Sequence, residues 1–506
     1  MTKAAAIGAG LVALLITALV VVPTFVDLGV FKRTYLPLVE DTFHRNIDVD
    51  NVRLTLLPTP SIRLSNLKVS NSPELPQNTL FNARQVELRL KLWPLLRGRF
   101  EVTEFVLEQP VINLLKRADG TINYSAIAGT KIPAAKRQDM RRNSGVTKPE
   151  APSAIPLLVP RRLRVKNGQV NLETAGKRPL RISGIDMSLQ DFSNEQPFPY
   201  RASFKFPGLK TISLEGQLDY QEAQAMLKLR DTRLKVHDLV LPLEGTVSSL
   251  STSPHLNLAL ASDHVNALPV FEILSVFGLA PRDIKVSGDI GLRMTLAGPS
   301  NALVTQVQGR FQNVEIHDKR SLRGNLSGDM SIRLPLGSGS ALVQLVRGEG
   351  RLIARDGELT NVNLIKKIER VTGLMGFSRD ERRETTSFKT LEAECTLRNG
   401  LADFKHIHLV NPQMEVTGGG TMTLDRPDLN LAIEAKLSAQ ASARAGRGRA
   451  TTFFKDDHGR IVVPLKITGP VRNPSVSLDN EKMAQRGVTR SLEKSLGSFF
   501  KQLFRR

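Results

Sequence analysis

From residue 47 onward, apolar and polar residues alternate with a period of two over most of the chain. Val86, Leu88, Leu90 and Leu92 are separated by Glu87, Arg89 and Lys91. The same spacing runs through Val52-x-Leu54-x-Leu56, Ile185-x-Met187-x-Leu189, Leu256-x-Leu258-x-Leu260 and Ile290-x-Leu292-x-Met294-x-Leu296. It continues in Leu391-x-Ala393-x-Cys395-x-Leu397, Leu429-x-Leu431-x-Ile433-x-Ala435-x-Leu437 and Ile461-x-Val463-x-Leu465-x-Ile467. Successive side chains of a strand point to opposite faces, so each segment predicts a strand with one apolar and one polar side. A second unit punctuates them, such as Asn167-Gly168-Gln169-Val170, Glu215-Gly216-Gln217-Leu218, Glu244-Gly245-Thr246-Val247, Ser327-Gly328-Asp329-Met330 and Asp356-Gly357-Glu358-Leu359. Glycine accepts the positive φ of tight turns, so each copy predicts a hairpin turn leading into a strand. The copies are irregularly spaced, which excludes a fixed-period solenoid. Short helices are predicted at 33–44, 268–277 and 362–374. The Pro- and Ala-rich stretch 131–160 reads as a linker, and the small, basic stretch 438–452 as a mobile loop.

About twenty one-sided strands raise a packing question, because an apolar sheet face must be buried against something. The predicted helices are too few to cover it. Two arrangements remain: sheets facing each other in sandwiches, or one sheet curled into a trough filled by an apolar molecule that is not protein.

Residues 4–26 carry no charge. At 1.5 Å per residue this run is about 34 Å long as a helix, enough to cross a bilayer core. A cleaved signal peptide has a shorter apolar stretch ending in small residues, whereas this one ends Pro23-Thr24-Phe25-Val26. The expectation is an uncleaved anchor with a short cytoplasmic head. With Lys3 before the run and Asp27 directly after it, the charge asymmetry is weak. The bulk of the chain is expected on the exported side.

The chain of 506 residues has a formal charge of +21, from 70 basic and 49 acidic residues. That balance favours an anionic partner, either nucleic acid or a membrane surface. Aromatic residues make up 5%, few for stacking bases, and an exported location removes most nucleic-acid partners. The basic cluster Lys136-Arg137, Arg141-Arg142, Arg161-Arg162, Arg164 and Lys166 reads as a solvated linker. One cysteine, Cys395, excludes an intrachain disulfide and a cysteine-built zinc site. Gly418-Gly419-Gly420 lacks the Lys-Ser/Thr pair of a phosphate loop and reads as a turn. His406-x-His408 puts two imidazoles on one strand face without a third ligand at suitable spacing, and Asp456-Asp457-His458-Gly459 reads as a polar turn. No catalytic residues, no metal and no cofactor are expected, and the chain is not expected to be an enzyme. From 482 to 506 the period becomes helical, with Val488, Leu492, Leu496, Phe499, Phe500 and Leu503 on one face and lysines and arginines elsewhere. Such a helix suits a membrane interface or a cap on the trough.

Several segments form an ordered series of strand-and-turn patterns along the chain. After the N-terminal apolar run comes Leu56-Leu57-Pro58-Thr59-Pro60-Ser61-Ile62-Arg63-Leu64, then Leu67-Lys68-Val69-Ser70-Asn71. Leu95-Leu96-Arg97-Gly98 precedes Phe105-Val106-Leu107-Glu108-Gln109-Pro110. Further on stand Gly348-Glu349-Gly350-Arg351-Leu352, Asp356-Gly357-Glu358-Leu359, Gly418-Gly419-Gly420-Thr421-Met422-Thr423-Leu424 and Pro464-Leu465-Lys466-Ile467-Thr468-Gly469. In this order the segments resemble the AsmA family of Gram-negative envelope proteins, and the resemblance implies an inner-membrane anchor, a periplasmic body, and a long twisted antiparallel β-groove that carries phospholipid or another acyl lipid. The domain reading is an anchor at 1–26, β regions at 27–130 and 161–480 around the linker 131–160, and the basic helix at 481–506. Leu88, Leu90, Leu292, Met294, Leu431 and Ile433 are expected to line the groove, and Leu492, Leu496, Phe499, Phe500 and Leu503 to meet the membrane interface. Envelope proteins are possible further partners. The alternative reading is a factor for targeting and assembly of outer-membrane proteins.

Overall fold

The computed structural model describes residues 46–485, apart from 56–58, 71–78, 98–100, 117–159 other than Asn123, 175–178, 250–253, 278, 281–283, 301, 319–321, 336–341, 361, 374–384, 446–450 and 452–453. The expected anchor 4–26, the helix 33–44, nearly all of the linker and the C-terminal residues beyond Gln485 lie outside the described residues. Among the described residues no helix is long and apolar enough to cross a membrane.

The chain is mainly β, with twenty-three strands among the described residues, in two compact units. The first unit comprises Met1–Leu260, Leu296–Leu303 and Gly337–Gly339. Its strands are β1 (Ile47–Asp48), β2 (Asn51–Thr55), β3 (Ser61–Ser70), β4 (Thr79–Leu90), β5 (Val102–Lys116) and β6 (Arg162–Thr174). They continue with β7 (Leu180–Leu189), β8 (Phe198–Lys205), β9 (Ile212–Gln221), β10 (Met226–Val236), β11 (Leu239–Ser248) and the start of β12 (His255–Asn266). β1 and β2 both pair with β3, and from there each strand pairs with the next. The expected antiparallel order breaks once: β5 and β6 run parallel, from Glu104↔Arg162 to Lys116↔Thr174. Parallel neighbours require a long return connection, which the chain between Lys116 and Arg162 supplies. The sheet is therefore mixed.

The second unit comprises Ala261–Thr295, Val304–Leu336 and Ser340–Arg506. Here β15 (Val304–His317), β16 (Leu322–Pro335), β17 (Arg347–Leu359), β18 (Thr386–Arg398) and β19 (Leu401–Val410) form an antiparallel meander. It continues through β20 (Met414–Thr423), β21 (Asp428–Leu437), β22 (Val462–Pro470) and β23 (Ser475–Leu478). β13 (Lys285–Ser287) pairs with β15 and is followed by β14 (Asp289–Pro299).

The glycine units are not hairpin turns. Gly216, Gly245, Gly328 and Gly357 lie inside β9, β11, β16 and β17, paired on both sides or next to bulges. Gly328 has φ +134° while facing Phe311 and Leu352. Asn66, Gln109 and Asn167 adopt left-handed φ of about 50° inside β3, β5 and β6; at Asn66 and Gln109 one ladder pair is interrupted with the register kept, and at Asn167 the register to β7 shifts. Such residues bend a strand and strengthen its twist, so the motif that reads as a turn in sequence works as a kink within the sheet.

Helices are short. α1 (Leu92–Leu96) joins β4 to β5, α2 (Ala267–Val276) follows β12, and α3 (Leu342–Leu345) precedes β17. α4 (Leu364–Thr372) begins where the Asn363 side chain accepts from Lys366 N (2.9 Å), and Gly373 ends it at φ 67°. Its Leu364, Ile365 and Ile368 are buried. α5 (Ala439–Arg444) occupies the first part of the mobile loop expected at 438–452, of which 446–450 and 452 lie outside the described residues. Ser438 caps it by accepting from Ala441 N (3.2 Å), and Ala441 and Ala445, one turn apart, are buried. Small side chains there permit close packing, which is a physical reason for a composition that in sequence resembles a loop. Residues 480–485 begin a helix on Asp479, and the expected interface residues Leu492, Leu496, Phe499, Phe500 and Leu503 lie outside the described residues.

Candidate functional site

Strand register sorts the side chains of each unit into rows. In the first unit one row reads Val52, Leu64, Val86, Leu107, Val165, Met187, Ala202, Leu214, Leu234 and Leu241, one residue per strand from β2 to β11. Of these, Val86 and Leu241 are buried and the other eight are half-buried. A sheet face packed against a second protein layer buries such residues fully. The adjacent row holds Leu54, Ile62, Leu88, Phe105, Leu163, Leu189 and Tyr200.

The opposite face carries charge. Glu87 and Glu104 are each 6% exposed and bridged by arginines: Arg63–Glu87 at 3.3 Å, Arg89–Glu87 at 3.6 Å, Arg89–Glu104 at 2.7 Å and Arg164–Glu104 at 3.1 Å. This ladder ties β3 to β6 on the face away from the apolar rows. Glu104 Oε1 meets Arg164 as an ion pair without hydrogen-bond geometry.

The second unit repeats the arrangement. One row runs Gly309, Met330, Gly350, Cys395, Phe404, Gly420, Leu431, Ile467 and Val476. Its neighbour runs Phe311, Gly328, Leu352, Ala393, Ile407, Gly418, Ile433, Leu465 and Leu478. Met330, Leu352, Cys395, Phe404 and Ile407 are half-buried. Two covered zones flank these rows. On one side Leu334, Val346, Leu397 and Ala402 form a buried cluster beside α3. On the other, Ala354, Leu409, Val416, Ala435 and Val463 are buried in one row. The apolar face is thus closed at its margins and open along its middle from β15 to β19, while in β21 and β22 Leu431, Ile433, Leu465 and Ile467 of the same rows are buried. Across the backbone lie Arg310, Asp329, Arg351 and Glu394, paired at 3.1 Å (Arg310–Asp329) and 3.4 Å (Arg351–Glu394). A concavity of about 810 Å³ is lined mainly by the polar set, Arg293, Arg310, Asp329, Arg351 and Glu394 among them, with Leu292, Met330 and Cys395 also on its wall.

The six residues expected in the groove divide by unit. Leu88 and Leu90 lie on β4, half-buried and buried respectively; Leu292 and Met294, on β14, are half-buried; Leu431 and Ile433, on β21, are buried (9% and 2%). Leu88, Leu431 and Ile433 fall in the apolar rows. Residues the sequence did not single out, among them Leu107, Val165, Met187, Leu214, Met330 and Phe404, occupy the open middle. Their strands are legible in the sequence, but their alignment requires the register.

Cys395 sits in the floor of the second unit's row. Burial pushes its thiol pKa up, partly offset by a hydrogen bond with the Gly350 backbone. A raised pKa leaves less thiolate at neutral pH, and the thiolate is the nucleophile. Alkylation of Cys395 is therefore expected to be several-fold slower at pH 7.5 than that of a free cysteine. Its rate should keep climbing above about pH 8.5, where a free thiol begins to level off. A stopped-flow pH profile with a maleimide checks this.

The remaining candidate chemistry resolves into local structure. His406 and His408 lie 6.0 Å apart by ring centroid, and His408 Nε2 is 2.9 Å from Glu415 Oε1. Among the described residues no group of three His, Cys, Asp or Glu is placed to hold a metal. Asp456 turns the chain back: its Oδ1 accepts from His458 N (3.1 Å) and Arg460 N (2.8 Å), and Lys436 lies 3.0 Å from Oδ2. Burial would raise the Asp456 pKa, but the Lys436 and backbone hydrogen bonds outweigh it and hold the carboxyl below its usual range. Gly418–Gly420 lie inside β20, not in a turn.

A one-faced, glycine-kinked β-sheet behind an N-terminal apolar run is the arrangement the AsmA resemblance implies. The AsmA family's sequence model matches residues 1–269, and the chain belongs to the AsmA family. The match ends before the segments at 348–359, 418–424 and 464–469, where the likeness rests on strand pattern alone. No match was found among curated proteins.

Proposed function

We propose that this protein is anchored in the inner membrane by residues 4–26, projects into the periplasm, and carries phospholipid acyl chains along the apolar face of its sheet, maintaining the outer membrane. The observation that supports this is the half-exposed apolar row from Val52 to Leu234 and its counterpart through Met330, Cys395 and Phe404. Long apolar strips left open to water are costly, at about 25 cal/mol per Å². An acyl chain laid along them removes that cost without asking for hydrogen bonds. The ion-paired opposite face keeps that side wetted.

Mass spectrometry of lipid extracted from the purified chain tests the reading. Phospholipid should remain with the protein through exhaustive detergent washing. A lipid-free chain that carries polypeptide instead would favour a role in outer-membrane protein assembly. The location has its own check: protease added to spheroplasts should digest the bulk of the chain, and full protection would contradict a periplasmic body.

A further inference from the structure

The only tryptophan in the sequence, Trp93, stands in α1 with 73% of its surface exposed, beside Leu92 at 39%. Both are among the few large apolar side chains left open to solvent among the described residues. α1 caps one end of the first unit's sheet: Lys91 N donates to Glu101 O (3.0 Å) across its base, and Leu90 N donates to Pro60 O (2.8 Å). The same end is rimmed by cations. Lys91 and Arg97 flank α1, and Arg161 and Arg162 open β6, whose parallel pairing with β5 sets their end of the strand beside the start of β5; all four are exposed. The acidic residues nearby are Glu101, 2.9 Å from Lys91, Glu104, which faces Arg162 across the β5–β6 pairing, Asp191 and Glu195 in the loop after β7, and Glu222, which accepts from Asn194 of that loop (2.9 Å). Arg89 is not part of the rim, since it is held by Glu87 and Glu104.

Indole prefers the headgroup level of a bilayer, where its ring leaves water and its N–H keeps a polar partner. Lysine and arginine around it gain from anionic headgroups. We infer that α1, with Trp93 and Leu92 as apolar wedge and Lys91, Arg97, Arg161 and Arg162 as rim, seats this end of the sheet on an anionic bilayer surface. Such a contact would set the mouth of the apolar face at the level of the lipids. It does not depend on residues 4–26 spanning the membrane.

Because Trp93 is the sole tryptophan, all indole emission reports on this site. The full chain is reconstituted in phosphatidylcholine vesicles with and without phosphatidylglycerol, with an amphipol-held sample as lipid-free reference. In anionic vesicles the emission should shift to the blue, and acrylamide quenching should fall about threefold. Lipids brominated near the headgroup should quench more than those brominated near the chain end. Lys91→Glu with Arg97→Glu should remove the dependence on anionic lipid while leaving the circular dichroism unchanged. Emission and acrylamide quenching identical in amphipol and in both vesicle types would overturn the inference. So would quenching from the chain-end position without anionic dependence, which would place Trp93 against groove lipid, or a blue shift that grows with protein concentration, which would place it against a second copy. A chain that fails to span the vesicle yet shows the shallow, anion-dependent signal would uphold this contact and contradict the anchor.

Discussion

Gly328→Ala is expected to destabilise the second unit by on the order of 3 kcal/mol, combining backbone strain at positive φ with a steric clash. Gly328 sits in mid-strand at φ +134°, where a side chain is strained whatever the space around it. A Cβ there would also collide with the Arg351 carbonyl oxygen on the neighbouring strand. Relief would require β16 and β17 to separate or flatten, and with them the curl of the apolar rows. Urea denaturation should show the midpoint falling. Alanine at Gly373, which has nothing within reach of an added Cβ but φ 67°, separates the two causes. It should cost about 1 kcal/mol from backbone strain alone. Equal losses at the two positions would mean that the close approach of β16 to β17 contributes nothing.

Leu292→Asp should reduce lipid retained by the chain about tenfold, which corresponds to roughly 1.4 kcal/mol. Burying a carboxylate against acyl chains without a partner costs more than that, but Leu292 is half-buried, so part of the charge can reach water. For the same reason the substitution should leave the fold intact. Leu431 and Ile433 are poorer places for this test, because both are buried and an aspartate there would unfold the strand. Arg293→Asp is the control. Arg293 lies 3.8 Å from Asp263 with both side chains well exposed, so its loss should change neither lipid nor stability by much.

The strands were legible because alternation is a local signal, and the helices α2 and α4 because apolar spacing switched there. The parallel step between β5 and β6 was not, since nothing in either strand records the direction of its neighbour. The glycines misled for a physical reason: positive φ serves a hairpin turn and a mid-strand kink alike, and only pairing on both sides distinguishes them. α5 was missed because Ala441 and Ala445 look like loop composition until Ser438 is seen to cap them. Leu88, Leu431 and Ile433 fall in the apolar rows, while the degree to which each is covered depends on distant segments. The ladder of Glu87 and Glu104 with Arg63, Arg89 and Arg164 spans four strands, and no residue spacing within one strand predicts it.

The central claim is that lipid occupies one face of the sheet and not the other. A photo-crosslinking amino acid placed at Leu292, and in a separate chain at Arg293, tests it most directly, because adjacent strand residues face opposite sides. The same pair can be read at Leu214 and Glu215 in the first unit, half-buried and exposed respectively. After irradiation in cells, the probes at Leu292 and Leu214 should capture phospholipid, and those at Arg293 and Glu215 should not. Equal capture on both faces, or capture of polypeptide alone at Leu292 and Leu214, would contradict a lipid-carrying groove.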